Sequence, residues 1–272
     1  MRLVRLVRLV RLVRLVRLVR LAGSVRRMSA DAELRIRLAD EPGALVGGVD
    51  SVGALYGRPA EAWATLVVAH GAGTGMEHPF LEGFAQAVQA LGVATLRFDF
   101  AYREAGRRFP DRPPAAVATW RAAVRTAAEL AAAAGRGAAS GTVPAEPVWA
   151  SGKSFGGRMA SMAAAEGMAV SGLVMLGYPL HAPGKPEKPR DEHLPALQVP
   201  ILFLQGRNDP FAVPNDQLDD VVGRIGPNAS LEWIDAANHS FEIKGRKRPA
   251  AEIGAALAAS VVAFMRARPT DA

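Results

Sequence analysis

Ser154 stands in Gly152-Lys153-Ser154-Phe155-Gly156, the sharpest chemical signal in the chain. A serine hydroxyl is a poor nucleophile until a base takes its proton, and the base in turn needs an acid to hold it. The Gly-x-Ser-x-Gly spacing suits a serine on a tight strand-to-helix turn, where side chains two positions before and after would collide. The pentapeptide alone is weak, because glycine-rich serine loops are common. Here it follows the apolar run Pro147–Ala150 and precedes Arg158–Glu166, which reads as a helix with Met159 and Met162 on one face. That context favours a nucleophile at Ser154 over a structural glycine turn. The helix N-terminus beneath it favours developing negative charge.

Five histidines compete for the role of base. His239 lies in Asn238-His239-Ser240-Phe241, after the last apolar strand and before the last helix. His70 ends a strand, while His78, His181 and His193 lie in polar or proline-rich loops and read as solvated. The acid expected is Asp209, in Gly206-Arg207-Asn208-Asp209-Pro210 at the end of the strand Ile201–Gln205. Catalytic groups of open α/β sheets gather at that edge. Asp235 is the rival acid, but four residues before His239 it reads better as a strand-end turn residue. Asp99 shares a strand face with Arg97 and is expected to pair with it. The order Ser154, Asp209, His239 is that of α/β-hydrolases and not of the other serine proteases.

An oxyanion needs fixed donors. One is expected at the backbone N–H of Phe155. The other is expected in His70-Gly71-Ala72-Gly73-Thr74-Gly75, at Ala72 first and Gly73 second, where small residues admit close approach. A dinucleotide-binding reading of this loop fails on spacing: the third glycine would fall on Met76 or His78. No Gly-Lys-Ser/Thr closes it as a phosphate loop. Lys153, in the variable elbow position, is expected to be an exposed side chain, with substrate contact as the alternative. Lys185, Lys188 and Arg190 alternate with prolines and acids and read as a solvated loop.

These residues require a particular scaffold. Candidate strands are Glu33–Leu38, Val52–Tyr56, Thr65–His70, Val93–Phe98, Pro147–Ala150, Gly172–Leu176, Ile201–Gln205 and Leu231–Ile234. Helical spacing recurs in Phe80, Phe84, Val88 and Leu91, and in Val117, Trp120, Val124 and Ala127. Ile253, Leu257, Val261 and Phe264 mark one more apolar stripe. Ala131–Gly141 reads as a helix end and loop. The first two strands read as an antiparallel hairpin region. From Thr65 onward strands and helices alternate, which predicts a mostly parallel sheet with helices on both faces. Continuous apolar strands fit burial on both sides.

The chain has 272 residues, half of them apolar and 22% charged, so most of it can build a core. It has no cysteine, which excludes disulfides, a thiol nucleophile, Cys-ligated zinc and iron–sulfur clusters. The net charge of +7 suggests a nucleic-acid or membrane partner until its distribution is considered. Residues 1–27 contain nine arginines and no acid, leaving −2 for residues 28–272. Residues 2–19 are six copies of Arg-Leu-Val, a period of three that matches neither helix nor strand. No apolar run there exceeds two residues before an Arg, so it is neither a transmembrane segment nor a secretory signal. The repeat is expected to be disordered, dispensable and upstream of a true start at Met28. Transit-peptide and membrane-surface or nucleic-acid roles are the alternatives. Residues 28–272 are expected to form one domain, cytoplasmic by default, with no nucleic-acid partner.

The body resembles the α/β-hydrolases. It is similar to a dienelactone-hydrolase-like group that includes a testis-expressed hydrolase-like protein and the hydrolase-like region of an NSL chromatin-complex subunit. The resemblance runs from about Leu66 to Phe264. Beyond the motifs already quoted it rests on Arg97-Phe98-Asp99-Phe100, Gly156-Gly157-Arg158 and Gly177-Tyr178-Pro179-Leu180-His181. It implies an α/β-hydrolase fold with an eight-stranded, mostly parallel sheet, and Ser-dependent hydrolysis. True dienelactone hydrolases use Cys where this chain has Ser154. Lids of this fold usually follow the sixth strand, and Pro179 to Val199 form a loop too short for a helical cap. An open site is therefore expected, with Phe155, Tyr178 and Phe211 as walls and Tyr178 and Phe211 as substrate contacts. The expected activity is hydrolysis of a small or medium acyl ester through an acyl-enzyme on Ser154, with no metal or organic cofactor. The alternative is a catalytically silent interaction module on the same fold.

Overall fold

The computed structural model describes residues 31–39, 41, 48–135 and 145–268. The arginine-rich repeat at residues 1–27 lies outside them, as does most of the loop expected within Ala131–Gly141. Among the described residues eight strands form one sheet: β1 (Ala32–Arg37), β2 (Ser51–Gly57), β3 (Ala64–Ala69), β4 (Val93–Phe98), β5 (Val148–Lys153), β6 (Leu173–Leu176), β7 (Ile201–Gly206) and β8 (Ala229–Ile234). Their spatial order is β1-β2-β4-β3-β5-β6-β7-β8. The first two strands pair antiparallel, and β2 pairs antiparallel with β4. Every later pair is parallel. This is the mostly parallel, eight-stranded sheet that the alternation of elements predicts.

Why the sheet is buried on both sides is visible in the parity of its side chains. Val67, Ala69, Leu96, Phe98, Met175 and Phe203 point into one core, with α3 (Pro113–Gly135), α4 (Phe155–Ala165) and α5 (Asn215–Ile225) above them. Leu66, Val68, Val174, Leu176 and Leu204 point into the other. That second core is covered by α1 (Pro79–Ala90), α6 (Ala250–Ala255) and α7 (Ala258–Arg266). A short α2 (Ala101–Glu104) leads from β4 toward α3.

Two helical details differ from the periodicity. The stripe from Ile253 to Phe264 is carried by two short helices, not one. The first is pressed against α1: a Cβ on Gly83 would lie 2.0 Å from the Ala251 carbonyl oxygen, and one on Gly254 would lie 2.0 Å from that of Phe80. The two backbones meet where only glycine fits. The helix at Asn215–Ile225 carries just two fully buried residues, Leu218 and Val221, which is why its apolar stripe is hard to read.

From Pro179 to Val199 the chain holds only a single 3-10 turn at Leu194–Ala196, so no helical cap covers the sheet edge. No helix among the described residues is long and apolar enough to cross a membrane.

Candidate active site

Ser154 sits at the junction of β5 and α4 with φ 50° and ψ −114°, a left-handed conformation for a non-glycine residue. The flanking glycines make this turn sterically possible. A Cβ on Gly152 would stand 2.3 Å from the Gly157 nitrogen, and one on Gly156 2.6 Å from the His70 carbonyl oxygen. Such distances are below any tolerable contact. The turn is held from behind as well: the buried Trp120 of α3 donates its indole N–H to the Gly156 carbonyl at 3.0 Å.

His239 and Asp209 converge on this turn from the ends of β8 and β7. His239 Nε2 lies 2.8 Å from Ser154 Oγ, and His239 Nδ1 lies 2.7 Å from Asp209 Oδ2. Asp209 is fully buried, and its second oxygen accepts the Phe211 N–H at 2.9 Å. An acceptor at Nδ1 fixes the proton there and leaves Nε2 free to accept from the serine. The sequence did not point to Gln205, whose Nε2 donates to Asp209 Oδ2 at 2.6 Å. Its position four residues before Asp209, across the turn that ends β7, is the only hint of that role. Asp235 is exposed and pairs with Arg207 at 2.9 Å, so it does not approach His239 as an acid.

Ala72 and Phe155 present backbone N–H groups that bond to no other described residue. Gly73 differs: its N–H donates to the Tyr102 hydroxyl at 3.3 Å, so it is already engaged. The loop is shaped by His70. Its Nδ1 lies 2.7 Å from the Gly71 carbonyl, and its Nε2 accepts the Phe100 N–H at 3.2 Å. Nδ1 therefore carries the hydrogen, and burial holds this imidazole below the usual histidine range. Asp99 is not the partner of Arg97. Arg97 pairs with Asp31 at 2.6 Å, while Asp99 accepts the Met76 N–H at 2.8 Å and so holds the far side of the loop.

A cleft of about 420 Å³ opens over Ser154. Gly71, Ala72, Thr74, Phe80, Leu81, Phe211, His239, Ala250 and Ile253 are among its walls. Phe211 lines the cleft, its ring 4.3 Å from that of His239. Tyr178 does not. It is buried to 1% exposure, its hydroxyl donates to the Arg190 carbonyl at 2.6 Å, and burial raises its pKa. The residue belongs to the core because β6 ends beneath the site and directs the ring onto Phe203. Phe155 also turns inward, its ring 5.2 Å from that of Phe100, so only its backbone faces the site.

Lys153 is not an exposed side chain. It is half-buried in the cleft wall, with Nζ 5.6 Å above the Phe241 ring. Burial lowers its pKa to about 8, against a smaller upward pull from Asp209. The lysine is turned inward because β5 delivers it between Gly71 and Gly177, where a Cβ on Gly177 would lie 3.2 Å from Nζ. Two loop histidines are likewise less solvated than their surroundings suggest. His181 is buried, its Nδ1 2.8 Å from the Ala182 carbonyl. His193 Nε2 lies 2.7 Å from Ser161 Oγ. Lys185 and Lys188 are exposed, as a solvated loop requires.

A strand-ended serine turn, a histidine and a buried carboxylate on one sheet edge are the hallmarks of the α/β-hydrolases. Residues 62–266 match the family described as alpha/beta hydrolase domain, and the chain belongs to that family. Its fold is similar to a dienelactone hydrolase from Anabaena variabilis, with 19% identity and a TM-score of 0.59 over 88% of this chain and 97% of that one. A serine hydrolase without lid from Xanthomonas campestris is 20% identical, with a TM-score of 0.61 over 89% of this chain and 98% of that one. An esterase from Pyrococcus furiosus is 13% identical, with a TM-score of 0.65 over 90% of this chain and 93% of that one. At these identities the likeness is one of fold.

Proposed function

We propose that this chain is a serine hydrolase of small or medium acyl esters, working through an acyl-enzyme on Ser154. The observation that carries the reading is the unbroken line of short contacts from Ser154 Oγ through His239 to Asp209, 2.8 Å and 2.7 Å long.

In this reading Ser154 Oγ attacks the ester carbonyl carbon while His239 Nε2 takes its proton. Asp209 keeps the imidazole in the required tautomer and stabilises the imidazolium. The oxyanion is met by the N–H groups of Phe155 and Ala72. Gly73 is set aside as a donor because Tyr102 already engages it. The imidazolium then protonates the departing alcohol, and the same groups acting on a water release the acid. The apolar walls Phe80, Leu81 and Ile253 fit an acyl chain, and the modest cleft volume of about 420 Å³ favours a short one.

The test is turnover of a series of acyl esters from acetyl to octanoyl. The wild type is expected to hydrolyse the shorter members. Ser154→Ala and His239→Ala are expected to lose about six orders of magnitude in kcat with the fold intact. Wild-type turnover by Ser154→Ala would sink the proposal, and a folded wild type that turns over none of the series would favour an interaction module.

A further inference from the structure

Beside the cleft lies a second concavity of about 570 Å³ that the chemistry at Ser154 does not use. Its walls include Asn208, Asn238, Lys244, Arg246, Lys247 and Arg248. Four cations within five positions are a local concentration, since residues 28–272 together carry −2. Arg248 is spent on α6, donating to the Glu252 carbonyl at 2.9 Å. Lys244, Arg246 and Lys247 are exposed and form no ion pair with a described residue. The loop that carries them is shaped: Ile243 bridges both Ala237 and Arg246, with Gly245 at φ 81° making the tight turn between.

The two concavities are neighbours with one wall in common. Glu242 lines both, and its carboxylate is held aside by the Asn238 amide at 3.0 Å. His239, which follows Asn238, faces Ser154 through Nε2, so a leaving group that takes its proton departs over this residue. The basic groove thus adjoins the side of the cleft on which His239 and Glu242 stand, the side from which the proposed leaving group would depart.

We propose that Lys244, Arg246 and Lys247 bind a phosphate-bearing leaving group, so that the substrate is an acyl ester or thioester whose alcohol or thiol half is polyanionic. A phosphate monoester brings close to two negative charges, which suits several cations better than a single carboxylate does. In the reaction the carbonyl carbon bonds to Ser154 Oγ as its bond to the leaving oxygen or sulfur breaks. The proton on His239 passes to that atom, and the anionic tail stays in the groove until release. The inference deepens the serine-hydrolase reading and rests on it for the direction of departure.

Two acetyl esters of comparable leaving ability test it: one of methylumbelliferone, which is neutral, and one of hydroxypyrene trisulfonate, whose sulfonates stand in for phosphate. The wild type is expected to prefer the trisulfonate ester through a lower KM. The combined variant Lys244→Ala, Arg246→Ala and Lys247→Ala should lose about tenfold or more in kcat/KM for the trisulfonate ester alone, with kcat little changed. Lysine-to-arginine replacement at positions 244 and 247 should retain the preference. Raising salt from about 10 mM to about 1 M shortens the screening length from about 30 Å to about 3 Å and should erase it.

Free hydroxypyrene trisulfonate, followed by fluorescence anisotropy, reads the groove without catalysis, and inorganic pyrophosphate should displace it. Equal preference in the variant, or probe binding that survives the three substitutions, would overturn the inference. If neither ester is hydrolysed while pyrophosphate-sensitive binding depends on the three cations, the groove stands and the reading of Ser154 fails.

Discussion

Gln205 donates its side-chain amide to Asp209 at 2.6 Å, on the same carboxylate oxygen that faces His239. The amide therefore sets the direction from which Asp209 meets the imidazole. It touches neither the serine nor the cleft, so in the proposed reaction it acts as a positioning residue. Gln205→Leu is expected to lower kcat about tenfold with KM little changed, because the ground-state contacts of the cleft remain. Gln205→Met should behave alike. A fall confined to KM would contradict this account.

Lys153 gives a pH signature in stability. Its pKa is about 8 in the fold against an ordinary lysine value of 10.5, because burial disfavours the charged form. Below pH 8 the lysine is charged in both folded and unfolded chains, and the cost of burying that charge is full. Between pH 8 and 10.5 the unfolded chain binds more protons, so this contribution becomes less unfavourable as pH rises. Lys153→Met should raise the unfolding free energy at neutral pH by on the order of 2 kcal/mol, and the gain should shrink toward pH 10. Urea titrations of both proteins across that range check it; a gain constant with pH would contradict it.

His193 works at the acid end. Desolvation first, then Arg158, lowers its pKa to about 4, with Asp191 opposing them. Ser161 donates its hydroxyl to the Arg158 carbonyl at 2.8 Å, so its oxygen accepts from His193 Nε2. Between pH 6.5 and 4 the unfolded chain binds the extra proton, so stability falls as pH falls through this window. His193→Gln keeps a donor for Ser161 and removes the titration. Its unfolding free energy relative to wild type should improve steadily from pH 7 to pH 4, and a flat difference would refute the linkage.

The serine turn is expected to reject even one methyl group. Gly156→Ala would place its Cβ 2.6 Å from the His70 carbonyl and 2.8 Å from that of Ala69. Backbone cannot yield as a side-chain tip can, so a loss of about 3 kcal/mol or more is expected. By contrast Gly223→Ala in α5 meets nothing within 4 Å, and alanine propensity should stabilise it slightly. Thermal melts of the two variants should move in opposite directions.

Much of the fold was legible because buried parallel strands leave continuous apolar runs. Val93–Phe98 was bounded to the residue, and the other strands shifted by only a few positions. That Ser154, Asp209 and His239 meet was legible because each follows a strand and the chain order restricts the choices. Lys153 and Tyr178 were not. The direction of a side chain at a strand end depends on what the neighbouring strand places opposite it, and local sequence does not carry that. Gln205 was hidden for the same reason: its partner is fixed by the turn at Gly206–Asp209, not by its own residue type. His193 looked solvated among prolines and charges, yet its partner Ser161 comes from a helix more than thirty residues earlier.

The reaction proposed for this chain requires Ser154 to be an activated nucleophile. Intact-mass measurement after treatment with a fluorophosphonate tests it most directly. The serine oxygen would bond to phosphorus and fluoride would leave, adding one phosphonyl group per chain. A single adduct is expected on the wild type, none on Ser154→Ala, and slow labelling of His239→Ala. A well-folded wild type that takes up no label, or a Ser154→Ala protein that takes up as much, would contradict it.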